Sequence, residues 1–354
     1  MNKIAIITFN NLIYSPYANY YMQILDELKL PYDLILLNRG NMKESCNGTL
    51  INVHWNPLKR KIENLLRFSV IAGKRLKQNH YEKVVVLTTI PAVLLSVVLR
   101  KYYKKRYIVD IRDYTHENNF VYYFIEKKVL TSSYINVISS PKFTCFLPDG
   151  HFYICHNLNI PNNRIYHFSK NTDGPIRIAY VGTIGYQSQC MKLIRLVEHD
   201  QRFEFNFYGN MEGLGSVQAY FSGHTASNIH YYGPYFPGEK EKIITDNDIL
   251  FNAYGNGSKL LDYALSNKFY DSLFYKKPLI TSPKTYMSEI SGLYSYDLDF
   301  AFIDNLNGLY DWYLHIPIDS FEQDTSKQLM QYKIGNEKLA DVLRSFFKEK
   351  EICY

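Results

Sequence analysis

Two short stretches of this chain hold ionisable side chains where they could do chemistry. In Ser266-Asn267-Lys268-Phe269-Tyr270-Asp271, Ser266 reads as a helix cap. Lys268 then stands in the first turn, beside free backbone N–H groups and the positive end of the helix dipole. An anion such as a phosphate would be stabilised there. Asp271, one turn further in, would accept hydrogen bonds from sugar hydroxyls, or would pair with Lys268 as an i,i+3 surface couple. The second stretch, Asp110-Ile111-Arg112-Asp113-Tyr114-Thr115-His116-Glu117, leaves a strand and enters a loop. Asp113, His116 and Glu117 are each able to take a proton from a hydroxyl, and the residues do not choose among them. The competing reading is a structural ion-pair cluster around Arg112.

Glycines and polar loops mark further points of contact. Val181-Gly182-Thr183-Ile184-Gly185 follows a strand, so a phosphate could approach its backbone with no Cβ in the way, although two such glycines also make an ordinary turn. Gly209 carries the same ambiguity. Residues 254–259 form a polar loop ahead of the Ser266 helix, where Lys259 is either a secondary phosphate ligand or solvated. Asn10 and Asn11 end the first strand, and asparagine tolerates left-handed turns. His156, at the end of another strand, reads as a satisfied buried histidine.

The elements that must position these residues alternate along the chain. Apolar, β-rich runs are expected as strands over 4–8, 34–37, 84–88, 107–111, 135–138 and 152–155, with longer helical stretches between them. A second series follows at 176–181, 205–208, 229–232, 249–251 and 278–281. Such alternation argues for parallel sheets of βαβ units. Residues 157–174 have the composition of a linker. Phe269, Tyr270, Leu273 and Phe274 recur at helical spacing after Ser266, and Lys276-Lys277-Pro278 ends that helix before a buried strand.

Asn267, Lys268, Phe269, Tyr270, Asp271, Leu273, Lys277, Pro278, Leu279 and Ile280 resemble the donor-site signature of GT-B glycosyltransferases, especially the family 4-like group of bacterial surface and capsular polysaccharide synthesis. Residues 110–117 resemble a D-x-R-D-x-x-x-E segment of the same group. The resemblance implies an α/β chain of two Rossmann-like domains whose parallel sheets face across a cleft. The acceptor-side domain would span 1–160 and the nucleotide-sugar domain 161–330. A last helix, 331–354, would pack back on the first domain through Leu343, Phe346 and Phe347. The resemblance further implies that Asp271 holds ribose and that Lys268 and the helix N-terminus hold the diphosphate. Gly182, Thr183, Gly185, Lys259 and Asn267 complete the donor set. Asn10, Asn11 and Arg112 fall on the acceptor side, with Asp113, His116 and Glu117 as the catalytic candidates. No metal and no bound cofactor are implied, because the nucleotide sugar, a UDP-sugar by preference, is itself a substrate. Ala264 stands where many members have a glutamate. A nucleotide-sugar 2-epimerase of the same fold, or a non-catalytic partner of an active transferase, are the alternatives; Ala264 and the Asn10-Asn11 loop favour the latter.

Composition narrows the partners. The chain has 354 residues, enough for two domains with their own cores, and 46% hydrophobic against 21% charged residues, ordinary for a globular protein. Residues 1–160 hold 21 Lys+Arg against 11 Asp+Glu, and the remainder 19 against 23, so the halves carry about +10 and −4. A basic first half suits an anionic partner. Residues 57–77 set Leu65, Phe68, Ile71 and Ala72 against several lysines and arginines, the pattern of a helix resting on an anionic membrane face or of a core helix with a solvated side. No nucleic-acid module is recognisable, and no nucleic-acid partner is expected. The five cysteines (Cys46, Cys145, Cys155, Cys190, Cys353) contain no CxxC, so neither a disulfide framework nor a zinc site is indicated and a reducing cytoplasm fits. The opening MNKIAIITFNN lacks a signal-peptide pattern, and the apolar, uncharged run 84–99 is too short to span a membrane and is broken by Pro91.

Overall fold

The structure, a computed structural model, describes residues 3–158, 164–211, 213, 215–223, 226–299 and 305–349. The chain divides into two compact units. One comprises Met1–His156 with Ile334–Tyr354, the other Asn157–Lys333.

The first unit is built on seven strands, β1 (Ile4–Thr8), β2 (Tyr32–Asn38), β3 (Thr49–His54), β4 (Lys83–Leu87), β5 (Tyr107–Ile111), β6 (Ile135–Ile138) and β7 (Phe152–Ile154). All pairings are parallel, in the order β3-β2-β1-β4-β5-β6-β7. Every residue of β1, β4 and β5 is buried, as continuous apolar runs must be when helices cover both faces. Helix Ala18–Glu27 packs Tyr21, Ile24 and Leu25 on one face, joined there by Leu339, Leu343, Phe346 and Phe347 from the far end of helix Ile318–Lys348. Helix Lys61–Asn79 buries Leu65, Phe68, Ala72 and Leu76. The stripe that sequence suggested for a lipid surface is therefore occupied by the core. A different stripe, Ile62, Leu66 and Val70, faces solvent.

The second unit carries β8 (Ile176–Val181), β9 (Phe203–Tyr208), β10 (Ile229–Gly233), β11 (Ile249–Asn252), β12 (Leu279–Thr281) and β13 (Ser295–Asp297). These are again parallel, ordered β10-β9-β8-β11-β12-β13. Phe205, Phe207 and Phe251 fill one side with helix Gln187–Val197, and helix Asn267–Tyr275 covers the other with Phe269, Tyr270, Leu273 and Phe274. Each such side chain removed from water contributes about 1.5–3 kcal/mol.

The two sheets share one topology. In each, the first strand lies between the second and the fourth, so the chain order reverses beside it. In open α/β sheets ligands bind outside the carboxyl ends of the strands at that reversal. For these sheets that means the segments following β1 and β4, and those following β8 and β11.

Strands β3 and β13 were not expected from sequence. Both are edge strands, and β3, mostly accessible and with its apolar residues interrupted by Asn52, lacks the continuous run that marks a buried strand. Residues 157–158 and 164–174 contain no helix or strand. Cys353 lies outside the described residues. No helix is long and apolar enough to cross a membrane among the described residues.

Candidate functional site

The second unit gathers a charged cluster at the carboxyl ends of β8 and β11. Helix Asn267–Tyr275 starts where Ser266 Oγ accepts the Phe269 N–H at 3.3 Å, and the same hydroxyl donates to Asn252 Oδ1 at 2.8 Å, tying the cap to the end of β11. The helix stops at Lys276, whose φ of 56° is left-handed. Between these ends Lys268 and Asp271 both point inward and are 7% and 6% exposed.

The two are not a surface pair. Lys268 Nζ donates to Tyr254 OH at 2.7 Å and lies over the rings of Tyr180 and Tyr254, 4.3 and 5.0 Å from their centroids. Asp271 Oδ1 instead accepts from Lys240 Nζ at 2.8 Å. Burial lowers the Lys268 ammonium to about 8, against the pull of Asp271. Burial also raises the Asp271 carboxyl above its ordinary value, opposed first by Lys240 and then by Lys268. Neither charge is fully compensated, which is an arrangement suited to a polar ligand.

Gly182 borders the lysine: a Cβ on it would stand 3.8 Å from Lys268 Nζ, and its φ of 118° is one that side chains avoid. Gly209 packs on it so closely that a Cβ would be 2.0 Å from the Gly182 carbonyl oxygen. Of the other expected donor residues, Thr183, Gly185, Asn267 and Lys259 are exposed, the last as the first residue of helix Lys259–Tyr263 capped by Ser258. Ala264 follows that helix. Beyond this cluster a cavity of about 490 Å³ adjoins Gly255, Asn256, Ser282 and Lys192.

In the first unit the segment after β5 divides into closed and open parts. Arg112 is buried, with Nε 2.5 Å from Asp110 Oδ1 and a second nitrogen 2.6 Å from Oδ2, while another donates to the Cys155 carbonyl at 3.1 Å. Its plane lies 4.6 Å over the Tyr17 ring, and Tyr21 OH closes the far side of Asp110 at 2.7 Å. Glu117 is buried as well, accepting from Thr115 N at 2.5 Å and Thr115 Oγ1 at 3.1 Å. Asp113 and His116 remain exposed. Burial of the Asp113 carboxyl nonetheless raises its pKa, with Arg112 opposing. The His116 ring stands edge-on to Tyr122 at 5.5 Å.

The segment after β1 is polar and filled. Asn11 is wholly buried and bonds Asn38 Oδ1, Glu44 Oε1 and the Arg39 N–H at 2.9, 2.7 and 2.8 Å. The left-handed turn that its residue type allowed is not used, since φ is −60°. Asn10 is half-buried and donates its N–H to Thr8 Oγ1 at 3.2 Å. After β4, Thr88 holds φ 74°, a strained conformation for a β-branched residue. His156 is partly buried and its ring is lowered to about 4, by burial and then by Arg112.

Sequence reasoning missed Lys240, Tyr180 and Glu44. Lys240 meets a carboxylate 31 positions away, which no local spacing could signal.

No protein-family model and no curated protein sequence matches the chain. Solved structures do. Sucrose-phosphate synthase from Thermosynechococcus elongatus aligns over 98% of this chain and 99% of its own, with a TM-score of 0.72 and 11% identity. The lipopolysaccharide outer core galactosyltransferase WaaB, in its apo form, covers 96% and 99% at a TM-score of 0.65 and 13% identity. HepE of Anabaena, in complex with UDP, covers 98% and 100% at 0.68 and 8%. The chain thus has the GT-B fold, that of its glycosyltransferase neighbours.

Proposed function

We propose that this protein is a glycosyltransferase that moves a sugar from a nucleotide diphosphate sugar, a UDP-sugar by preference, to a hydroxyl of a glycan or lipid-linked acceptor in surface polysaccharide synthesis. The observation that carries the reading is the Lys268–Asp271 helix start: two buried charges, not paired with each other, at the reversal of a doubly wound sheet. Lys268, the helix N-terminus and the Gly182 turn take the diphosphate, and Asp271 takes the ribose hydroxyls. A structural neighbour solved with UDP, and again with UDP and glucose, supports a donor of this class.

The loop after β5 serves the acceptor. Its hydroxyl gives a proton to a base while the oxygen bonds to the anomeric carbon, and the bond from that carbon to the diphosphate breaks, the diphosphate leaving with the electron pair. Asp113 and His116 are accessible to a ligand; Glu117 shapes the turn, and Arg112 holds it to the sheet. Charge on the departing diphosphate is balanced by Lys268 and the helix dipole, so the reading requires no metal. Location on the cytoplasmic face of a membrane belongs to the same reading, with Ile62, Leu66 and Val70 beside Lys74 and Lys77 as the contact with anionic lipid.

Calorimetry of the purified chain with UDP, GDP, TDP and CMP tests the proposal. Preferential binding of UDP is expected, and binding of none overturns it. That second outcome would favour a non-catalytic partner subunit, the reading to which Ala264 and the closed Asn11 network lend support.

A further inference from the structure

Glu126 is a buried carboxyl group for which the reaction above has no use. It lies on helix Phe120–Ser132, is 1% exposed, and neither of its carboxyl oxygens has a hydrogen-bond partner among the described residues. An ionised carboxylate in that position forfeits its hydration and receives nothing in return, whereas the neutral acid loses far less.

The groups around it make ionisation harder. The charge that acts on it is that of Glu117, which is itself buried, with both oxygens engaged by Thr115. Tyr122, one turn earlier on the same helix, places its hydroxyl 3.0 Å from Thr115 Oγ1, and Thr115 Oγ1 is also 3.0 Å from Thr89 Oγ1. Helix Thr89–Leu94, packed against this helix, has no titratable side chain. Helix Ser96–Tyr102, packed there too, brings Arg100, Lys101 and Tyr102, all exposed. From β5, Tyr107 directs its hydroxyl to the Val129 carbonyl. Among the described residues no cation acts on Glu126, and the His116 ring, which acts on Glu117, favours the charge of that carboxyl. Burial, and then the charge of Glu117, push Glu126 up to about 8.

We propose that Glu126 is a positioning residue for the loop bearing His116 and Glu117: it is kept as the neutral acid, so that the two carboxyl groups hold one proton and one negative charge between them. When that proton is lost, the like charges of Glu117 and Glu126, both of which act on Tyr122, repel and the loop loosens. The link to glycosyl transfer rests on the function proposed above, but the link to loop order does not. The sign follows from the two states of the chain. The folded value lies above the ordinary 4.5, so the preference for the protonated fold is complete below the unfolded pKa and is lost as pH rises through about 8.

Hydrogen exchange of residues 112–126, corrected for intrinsic rates, tests this at pH about 6.5 and about 9.5, on either side of the transition. Wild type should lose protection by about tenfold or more across that interval, and Glu126→Gln, which reproduces the neutral acid, should hold it within about twofold. Equal protection of wild type at both values overturns the proposal, as does the same loss in the variant. A Glu126→Gln protein that fails to fold overturns it too, because glutamine has the shape and charge of the acid proposed. If glycosyl transfer is measurable, its alkaline fall should also shift in this variant. Absence of transfer alongside the expected exchange result would reject the proposed function and leave the positioning role standing.

Discussion

Arg112 with Asp110 and Lys268 with Asp271 are two pairs of opposite charge, each at the carboxyl end of a parallel sheet and each buried, yet they are finished differently. In the first unit the guanidinium fork meets both oxygens of Asp110, and Cys155, Tyr17 and Tyr21 close the remaining sides. In the second, Lys268 rests on a neutral phenol and two ring faces while Asp271 reaches a single oxygen toward Lys240. A closed pair is scaffold, because its desolvation is offset within the protein. An open one keeps capacity for a partner from outside.

The largest expected effect comes from breaking the closed pair. Arg112→Ala leaves Asp110 buried without its counter-charge and should cost about 3–5 kcal/mol in denaturant unfolding. Replacing both members by apolar residues, as in Arg112→Met with Asp110→Leu, should recover most of that loss, since a complete buried pair adds little over good apolar packing. A single-variant cost below about 1 kcal/mol would remove the distinction between the two regions.

At the open pair, stability and binding should separate. Asp271→Ala removes a carboxylate whose burial already disfavours its charge, so the unfolding midpoint should hold or rise. Affinity for UDP should fall by about 1–3 kcal/mol, as it should in Lys268→Ala, the range for losing a charged hydrogen-bond partner. Two folded variants with unchanged affinity would take the donor site away from this helix. Unfolding of Asp271→Ala would make it scaffold after all.

How far the sequence disclosed these regions follows from the range of the interactions. The Ser266 cap, the spacing of Phe269, Tyr270, Leu273 and Phe274 and the break at Lys276 are local, and the structure has each of them. The alternation of buried strands and helices is also local, hence the two parallel sheets were legible. Strands β3 and β13 were not, although the other two edge strands were: Asn52 interrupts the apolar residues of β3, and β13 is only Ser295-Tyr296-Asp297. Long-range partners were invisible. Lys240 reads as one more charge in Gly-Glu-Lys-Glu-Lys, and Glu126, followed by Lys127 and Lys128, reads as part of a solvated helix face. Which stripe of helix Lys61–Asn79 meets the core was ambiguous for a related reason: a helix with apolar residues over a broad arc does not say which part of the arc its own sheet will take.

The smallest expected effect is the most specific, because it makes one group act in opposite directions. Burial lowers Lys268 from 10.5 to about 8. From about 8 up to 10.5 the unfolded chain holds a proton that the native chain has released, so this lysine makes the fold more stable as pH rises through that window. Phosphate binding has the other sign. It needs the ammonium, and the nucleotide's own terminal ionisation, near pH 6, is complete by then. UDP affinity should therefore stay level up to about pH 8 and decline beyond it, by at most about tenfold per pH unit. Lys268→Arg keeps its charge throughout and should flatten the decline, even if the bulkier group weakens binding at every pH. A decline equally steep in that variant would assign the titration to another group and detach Lys268 from the diphosphate. A level profile in both would mean that the lysine's charge never meets the ligand.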